Sequence, residues 1–280
     1  MPDVRVEQRG DVLLCTFDRS PAINASTPAM ISGWVRALVT AADDPSVGAV
    51  LTAAVGRAWC AGADLTFLLG HQVGPTGIDG HRLEALGDEL IEGLPESTDP
   101  TERALGLNKL ASYLLRYPKP LVAAIGGAVA GGGFPLALLH DVRFVSSAAS
   151  FRTSFVDLGL VSELGLGYLL PRLGGTGRAL DLHLSGRPVR GRDLVELGLA
   201  EYFSADDQLD DDAFAYASAL AKKPAEAVAM IRRLIRDDAG LAVTSYLQRE
   251  WAAQQVAFES PVAVRSVAQV AAGLGISGQA

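Results

Sequence analysis

Two glycine-bearing segments have the residue types and spacing to do chemistry. The first, Gly126-Gly127-Ala128-Val129-Ala130-Gly131-Gly132-Gly133, joins an apolar strand-like run, Leu121–Ile125, to a helix-like one at 134–139. Three successive glycines at a helix mouth allow positive φ and close approach of a ligand, and the unpaired N–H groups there favour negative charge. An oxyanion suits such a place, and so does a tightly packed turn. The second segment, Trp59-Cys60-Ala61-Gly62-Ala63-Asp64-Leu65, follows an earlier apolar run. If the two strands lie side by side their C-terminal loops meet, which is where ligands settle in open α/β sheets. Asp64 reads as a turn or cap residue within that loop.

The elements that must position these loops alternate between strand and helix. Residues 4–8 and Val12–Phe17 flank Arg9-Gly10-Asp11 as a hairpin. Ser26 or Thr27 caps a helix with Pro28 in its first turn, whose apolar face runs Met30, Ile31, Trp34, Val35, Leu38 and Val39. A buried strand over 47–55 follows. The order then repeats as strand Leu121–Ile125, glycine turn, helix 132–139 and strand Val142–Val145, an α/β pattern of crossovers. Between these units, 66–118 holds a Gly- and Pro-rich loop at 70–80 and helices near 81–93 and 101–117. Loops of that length usually serve as lids or stay disordered, so this segment is expected to move. After Gly174 the chain turns helical at 176–184, 192–197, 210–221, 225–238, 243–258 and 261–272.

Composition narrows the function classes. The 280 residues are 49% hydrophobic, enough for one large domain with a sizeable core. A net charge of −8 and only 6% aromatic residues argue against a nucleic-acid-binding surface. Cys15 and Cys60 stand far apart, with no metal-ligand spacing and no secretory framework, which points to a reduced, cytoplasmic protein. The N-terminus lacks the apolar core of a targeting peptide. Residues 121–139 carry no charge and nearly reach transmembrane length, but five glycines and Pro135 favour strand, loop and helix in a soluble core. Patterns for phosphate loops, zinc peptidases, nucleophile elbows and dinucleotide folds are absent around the glycine cluster.

Five pieces in order and spacing resemble the crotonase, or enoyl-CoA hydratase/isomerase, family over roughly 4–205. They are Phe17-Asp18-Arg19-Ser20-Pro21-Ala22-Ile23-Asn24-Ala25, Ala58-Trp59-Cys60-Ala61-Gly62-Ala63-Asp64-Leu65, Pro118-Lys119-Pro120-Leu121-Val122-Ala123-Ala124-Ile125, the glycine stretch, and Leu170-Pro171-Arg172-Leu173-Gly174. The resemblance implies an α/β fold, a spiral of ββα units forming a core over 1–205, with a helical oligomerisation region at 206–280 that builds homotrimers, commonly paired as hexamers. It implies acyl-CoA thioester ligands and no separate cofactor, coenzyme A being part of the substrate. By the same resemblance the oxyanion hole falls on the backbone amides of Ala63 and Gly132. Arg19, Ala22, Ala61, Asp64, Leu65, Gly131 and Phe155 fall at substrate-binding positions, and Arg19 and Arg57 flank the expected coenzyme A loops.

The family's hydratases carry two glutamates, one two residues after the GGG triplet and another about twenty residues on. This chain has Pro135 and Phe155 there. Neither can move a proton. A different carboxylate, Glu163, stands where the family's Δ3,Δ2-enoyl-CoA isomerases place their single acid/base, a position equivalent to the nucleophilic aspartate of aroyl-CoA dehalogenases. Its neighbours Leu160, Val161 and Leu164 are apolar, and desolvation by them would raise its pKa toward neutrality, as suits a base that must also return its proton. A helix-start carboxylate facing the dipole is the alternative. Other candidates are Asp157 and Ser154, near the second missing glutamate, and His140-Asp141, read as a packed pair rather than a dyad. His71 and His81 read as exposed residues of the mobile segment. The expected reaction is therefore isomerisation of a 3-enoyl-CoA. An atypical hydratase, a hydrolytic or dehalogenating enzyme, and a non-catalytic acyl-CoA binder are the other readings.

Overall fold

Strands β1 (Val4–Arg9) and β2 (Val12–Phe17) form the expected hairpin, in register from Val4 opposite Phe17 to Arg9 opposite Val12. The structure is a computed structural model and describes residues 3–70, 87–97, 103–237 and 240–273. Helix Pro28–Asp43 follows the hairpin. Of its two candidate caps Thr27 is the one used, its hydroxyl accepting from the Met30 N–H at 3.2 Å. Its inner face buries Met30, Ile31, Trp34, Val35 and Leu38. Trp34 and Trp59 meet Phe17 edge to face at 5.9 and 5.2 Å, so the hairpin, the helix and the Trp59 loop share one core. Burying each such side chain contributes about 2–3 kcal/mol.

From here each turn of the chain places one strand in each of two sheets and then a helix. Strand β3 (Ala49–Ala54) lies parallel to β2, and β4 (Ala58–Cys60) leaves for the second sheet. Strand β5 (Leu121–Ile125) pairs with β3, and β6 (Ala128–Ala130) with β4. Strand β7 (Val142–Val145) pairs with β5, and β8 (Ser150–Arg152) with β6. Helices Leu65–Gly70, Gly133–Leu139 and Leu166–Gly174 complete the turns. Strands β9 (Val189–Arg190) and β10 (Tyr202–Phe203) finish a four-stranded sheet, β4-β6-β8-β9, and a six-stranded one, β1-β2-β3-β5-β7-β10. This is the expected spiral of ββα units.

The glycine stretch departs from the expected single turn. It contains β6, because Ala128–Ala130 finds ladder partners on both sides and Val129 is fully buried between them. Gly127 marks the corner: a Cβ there would lie 2.6 Å from the Arg57 carbonyl oxygen. The uncharged run 121–139 is thus two strands and a short helix, and no helix among the described residues is long and apolar enough to cross a membrane. In 66–118, the loop at 71–80, the start of the helix near 81 and both His71 and His81 lie outside the described residues. The helix expected over 101–117 resolves, where described, into a 3-10 turn, Gly106–Asn108, and helix Lys109–Arg116.

Helices Leu209–Ala221, Ala225–Asp237, Gly240–Phe258 and Pro261–Gly273 form the C-terminal region. The first packs Leu209, Ala213 and Ala217 against Val122, Ala124 and Phe144 of the large sheet. Helix Gly240–Phe258 folds back onto the core of its own chain. The buried Asn108 amide donates to its Leu247 carbonyl at 2.8 Å, and Leu247 and Trp251 join the main core.

Candidate active site

The two chemically suggestive loops do converge, and they do so at the ends of the small sheet rather than the large one. Strands β4 and β6 run parallel, Ala58 opposite Ala128 and Cys60 opposite Val129, so the loops after them are neighbours. Gly62 makes their approach possible: its φ is +89°, and a Cβ there would lie 2.9 Å from the Ala130 carbonyl oxygen. Ser26 ties down the peptides around Ala63. Its N–H donates to the Gly62 carbonyl at 2.7 Å, and its carbonyl accepts from Asp64 N–H at 2.9 Å. The Ala63 N–H is left out of this pairing, and the Gly132 N–H stands at the mouth of helix Gly133–Leu139. Neither donates to another described residue. Ala63 and Gly132 line one cavity of about 460 Å³, together with Ala61, Leu65, Gly131 and Phe155.

Glu163 reaches into the same cavity. A Cβ built on Gly132 would lie 2.5 Å from Glu163 Oε1, so the carboxylate sits directly against the glycine that offers its amide. The side chain keeps partial contact with solvent through the cavity, while protein surrounds the carboxylate itself. Burial first, and then the charge of Glu250, raise its pKa to about 7, with a small opposing effect from Gln254. The Gln254 amide donates to Oε2 at 3.4 Å, a long bond. The backbone presenting Glu163 is unusual, for Leu164 (φ +53°) and Gly165 (φ +76°) are both left-handed. Such a conformation in leucine costs of order 1–3 kcal/mol and persists only where surroundings impose it. Asn108 does so here, its Oδ1 accepting from Leu164 N–H at 2.7 Å. Glu163 precedes helix Leu166–Gly174, but Gly165, not Glu163, is its N-cap.

Of the remaining expected positions, Arg19, Ala22 and Asp64 are not on the cavity wall. Asp64 Oδ1 accepts from Thr66 N–H at 2.9 Å and Phe67 N–H at 3.3 Å at the start of helix Leu65–Gly70. Its other oxygen meets the Arg19 guanidinium at 2.6 Å. Burial opposes ionisation of Asp64, but Arg19 and those N–H groups outweigh it and hold the carboxyl below the usual range. Arg57 is exposed. Pro135 is buried in the first turn of its helix, and Phe155 puts an aromatic ring on the cavity wall. Ser154 and Asp157 line the cavity too, yet Asp157 is held by Arg152 at 2.8 Å with both side chains about half exposed (48%/48%).

His140 and Asp141 are a packed pair. His140 is buried between the Leu136 carbonyl, 2.9 Å from Nδ1, and the Thr52 hydroxyl, 3.0 Å from Nε2, so Nδ1 donates and Nε2 accepts. Burial lowers its pKa to about 4, only partly offset by the Leu136 bond. Asp141 is opposed by burial and rescued by Arg232 and Arg236, at 2.7 and 2.9 Å, which hold it below the usual range. Cys15 and Cys60 are free, buried thiols, pushed by burial to about 12 and about 11.

Sequence reasoning missed the contribution of the C-terminal helices. Trp251, Gln254 and Phe258 line the cavity from helix Gly240–Phe258. The signal was present in their spacing of three and four, which puts them on one helical face, but nothing in sequence says which cavity that face covers.

A two-sheet spiral of ββα turns whose second sheet ends in two converging amide loops defines a crotonase-type fold. The enoyl-CoA hydratase/isomerase family model matches residues 12–277. A probable enoyl-CoA hydratase of Mycobacterium leprae is 34% identical over 76% of this chain and 67% of its own. The 1,2-epoxyphenylacetyl-CoA isomerase of Escherichia coli is 30% identical over 80% and 78%. A crystal structure of an enoyl-CoA hydratase/isomerase from Pseudoalteromonas atlantica superposes with a TM-score of 0.79 at 26% identity, covering 99% of each chain. The chain belongs to the enoyl-CoA hydratase/isomerase family and is an enzyme of that family.

Proposed function

We propose that this enzyme is a Δ3,Δ2-enoyl-CoA isomerase that uses Glu163 as its single acid/base. The observation that carries the reading is the Glu163 carboxylate against Gly132 on the cavity wall, in a chain that has Pro135 and Phe155 at the hydratase glutamate positions. With the thioester oxygen accepting from Ala63 and Gly132 N–H, Glu163 takes a proton from C2 of a 3-enoyl-CoA. The electron pair moves into a dienolate whose oxygen the two amides stabilise. The proton returns from Glu163 to C4, leaving the 2-enoyl-CoA and the carboxylate. Each preorganised oxyanion donor is worth about 3–4 kcal/mol, and general acid–base transfer about 10²–10⁴-fold.

A carboxyl group poised near pH 7 serves both halves of such a transfer, because neither its charged nor its neutral form is held too firmly. The mechanism calls on no metal or nicotinamide, and the only ligand is the acyl-CoA thioester itself. We place the enzyme in the cytoplasm as a homotrimer or a hexamer of paired trimers. Exposed Leu184, Leu234 and Ile235 supply apolar surface for such contacts, and analytical ultracentrifugation decides the state.

A panel of 2- and 3-enoyl-CoA thioesters, assayed for both isomerisation and hydration, tests the reaction. Isomerisation is expected to dominate and to be lost in Glu163→Gln. Full turnover by that variant would remove Glu163 from the mechanism, and hydration as the main activity would require another water-activating group.

A further inference from the structure

The turn that carries Glu163 is held by a second buried carboxylate, Glu250, 6% exposed on helix Gly240–Phe258. Glu250 accepts from Gly165 N–H at 2.6 Å, Ser162 Oγ–H at 3.0 Å, Tyr246 O–H at 3.2 Å and Gly167 N–H at 3.4 Å. Three of those donors belong to the turn and flank Glu163 on both sides, and the fourth comes from one helical turn before Glu250 itself. The two carboxylates are therefore unequal. Glu250 has four donors, two of them N–H groups that can only donate, whereas Glu163 has one long bond from Gln254. When two buried carboxyl groups share one neighbourhood, the better-solvated one ionises first and the other only at higher pH.

We infer that Glu250 is a positioning residue for Glu163: it holds the 162–167 turn so that Glu163 meets Gly132, and its negative charge keeps the abstracted proton on Glu163 until it is returned to substrate. This rests on Glu163 being the acid/base. Burial leaves the Glu250 carboxyl above its ordinary range although its four donors oppose the rise, and its charge is the second cause, after burial, of the raised value at Glu163.

The other groups around the pair do not supply the effect. Cys60, at the end of β4, is a thiol that burial keeps protonated. Tyr246 is likewise raised by burial and by Glu250, with Arg249 only slightly lowering it. Tyr168, on the helix after the turn, stacks under Arg172 at 3.3 Å. Arg152 and Asp157, also on the cavity wall, are paired with each other. Among the described residues no cation forms an ion pair with Glu163 or Glu250.

The test follows Glu163 directly. In protein labelled with ¹³C at the glutamate carboxyls, the resonance lost in Glu163→Gln identifies Glu163, and its titration is read with and without Glu250→Gln. The midpoint is expected to fall by about 1 pH unit in Glu250→Gln, since a like charge has been removed, and the acid limb of kcat/KM should move with it. Glu250→Ala, which also frees the turn, should lower kcat about 10²-fold with KM little changed, the size expected of a misplaced catalytic group. An unmoved midpoint in Glu250→Gln overturns the electrostatic part, and an unchanged kcat in Glu250→Ala overturns the positioning part. If Glu250→Gln does not fold, Tyr246→Phe carries the same test. It removes one donor, makes Glu250 easier to protonate, and should shift the Glu163 midpoint downward by a smaller step, with no shift counting against the inference. A midpoint that moves as expected in an enzyme whose Glu163→Gln variant still turns over would leave the coupling intact and remove only the acid/base role.

Discussion

His140-Asp141 and Glu163 are both buried titratable sites at the edge of the same core, and they differ in how fully their polar atoms are partnered. His140 has an acceptor at one ring nitrogen and a hydroxyl at the other, and Asp141 has two guanidiniums and the Leu121 N–H. Nothing remains with which to meet a substrate. Glu163 has one 3.4 Å bond, an open cavity in front of it and an amide-bearing glycine beside it. Satisfied hydrogen-bond capacity makes a structural pair, and unsatisfied capacity facing a cavity makes a reactive one.

Replacing Glu163 with Gln is the largest expected break in that comparison. On the proposed mechanism, turnover of 3-enoyl-CoA should fall by about 10²–10⁴-fold while acyl-CoA binding, measured by calorimetry, stays close to wild type. The corresponding change on the other side, Asp141→Ala, should leave the pH profile of activity untouched. It should cost about 3 kcal/mol of stability in denaturant titrations, because Arg232 and Arg236 lose their carboxylate in a mostly buried setting. An Asp141→Ala enzyme that kept its stability but lost activity would reverse the assignment of the two sites.

Much of this contrast could be read before the structure. Strands Leu121–Ile125 and Val142–Val145 have their expected bounds, and Thr27 and Pro28 start a helix as their chemistry requires. The Ala63 and Gly132 loops are legible in the five ordered pieces because each piece is local, and Glu163 is legible separately, from its match to the isomerase position and its apolar neighbours. Strand Ala128–Ala130 was hidden since three residues between glycines carry no readable period. The supports of Glu163 were hidden for another reason. Gln254 lies 91 residues from Glu163 and reaches it only because the helix Gly240–Phe258 folds back on the core, and Asn108 lies 56 residues from Leu164 in a separate segment. The left-handed conformation of Leu164 is likewise imposed by those partners, not by leucine.

Gly132→Ala sharpens the comparison because it should separate activity from stability. Gly132 has φ −59° and ψ −20°, ordinary helical values that alanine adopts freely. The new methyl would nevertheless stand 2.5 Å from Glu163 Oε1, and the carboxylate must swing away. Turnover should drop by about 10²-fold, the usual effect of misplacing a catalytic group by an ångström, with the melting temperature nearly unchanged. A large loss of stability would mean that the turn carrying Glu163 is as rigidly packed as the His140 site.

The smallest effect lies in the pH dependence of stability, where the two sites pull in opposite directions. Glu163 has its pKa raised from 4.5 to about 7 on folding, so the folded chain holds the extra proton in that interval and stability falls as pH rises through it. His140 is lowered from 6.5 to about 4, so the unfolded chain binds the proton first and stability falls as pH drops through that interval. Between 4.5 and 6.5 the slopes oppose each other, so the contributions of these two sites largely cancel there. Glu163→Gln removes only the first slope. Its stability relative to wild type should grow across pH 4.5 to 7 and then level off at about 3 kcal/mol, measured by urea unfolding at a series of pH values. A constant difference across that range would mean that folding does not penalise the Glu163 charge, and the contrast between a satisfied and an unsatisfied buried site would lose its energetic basis.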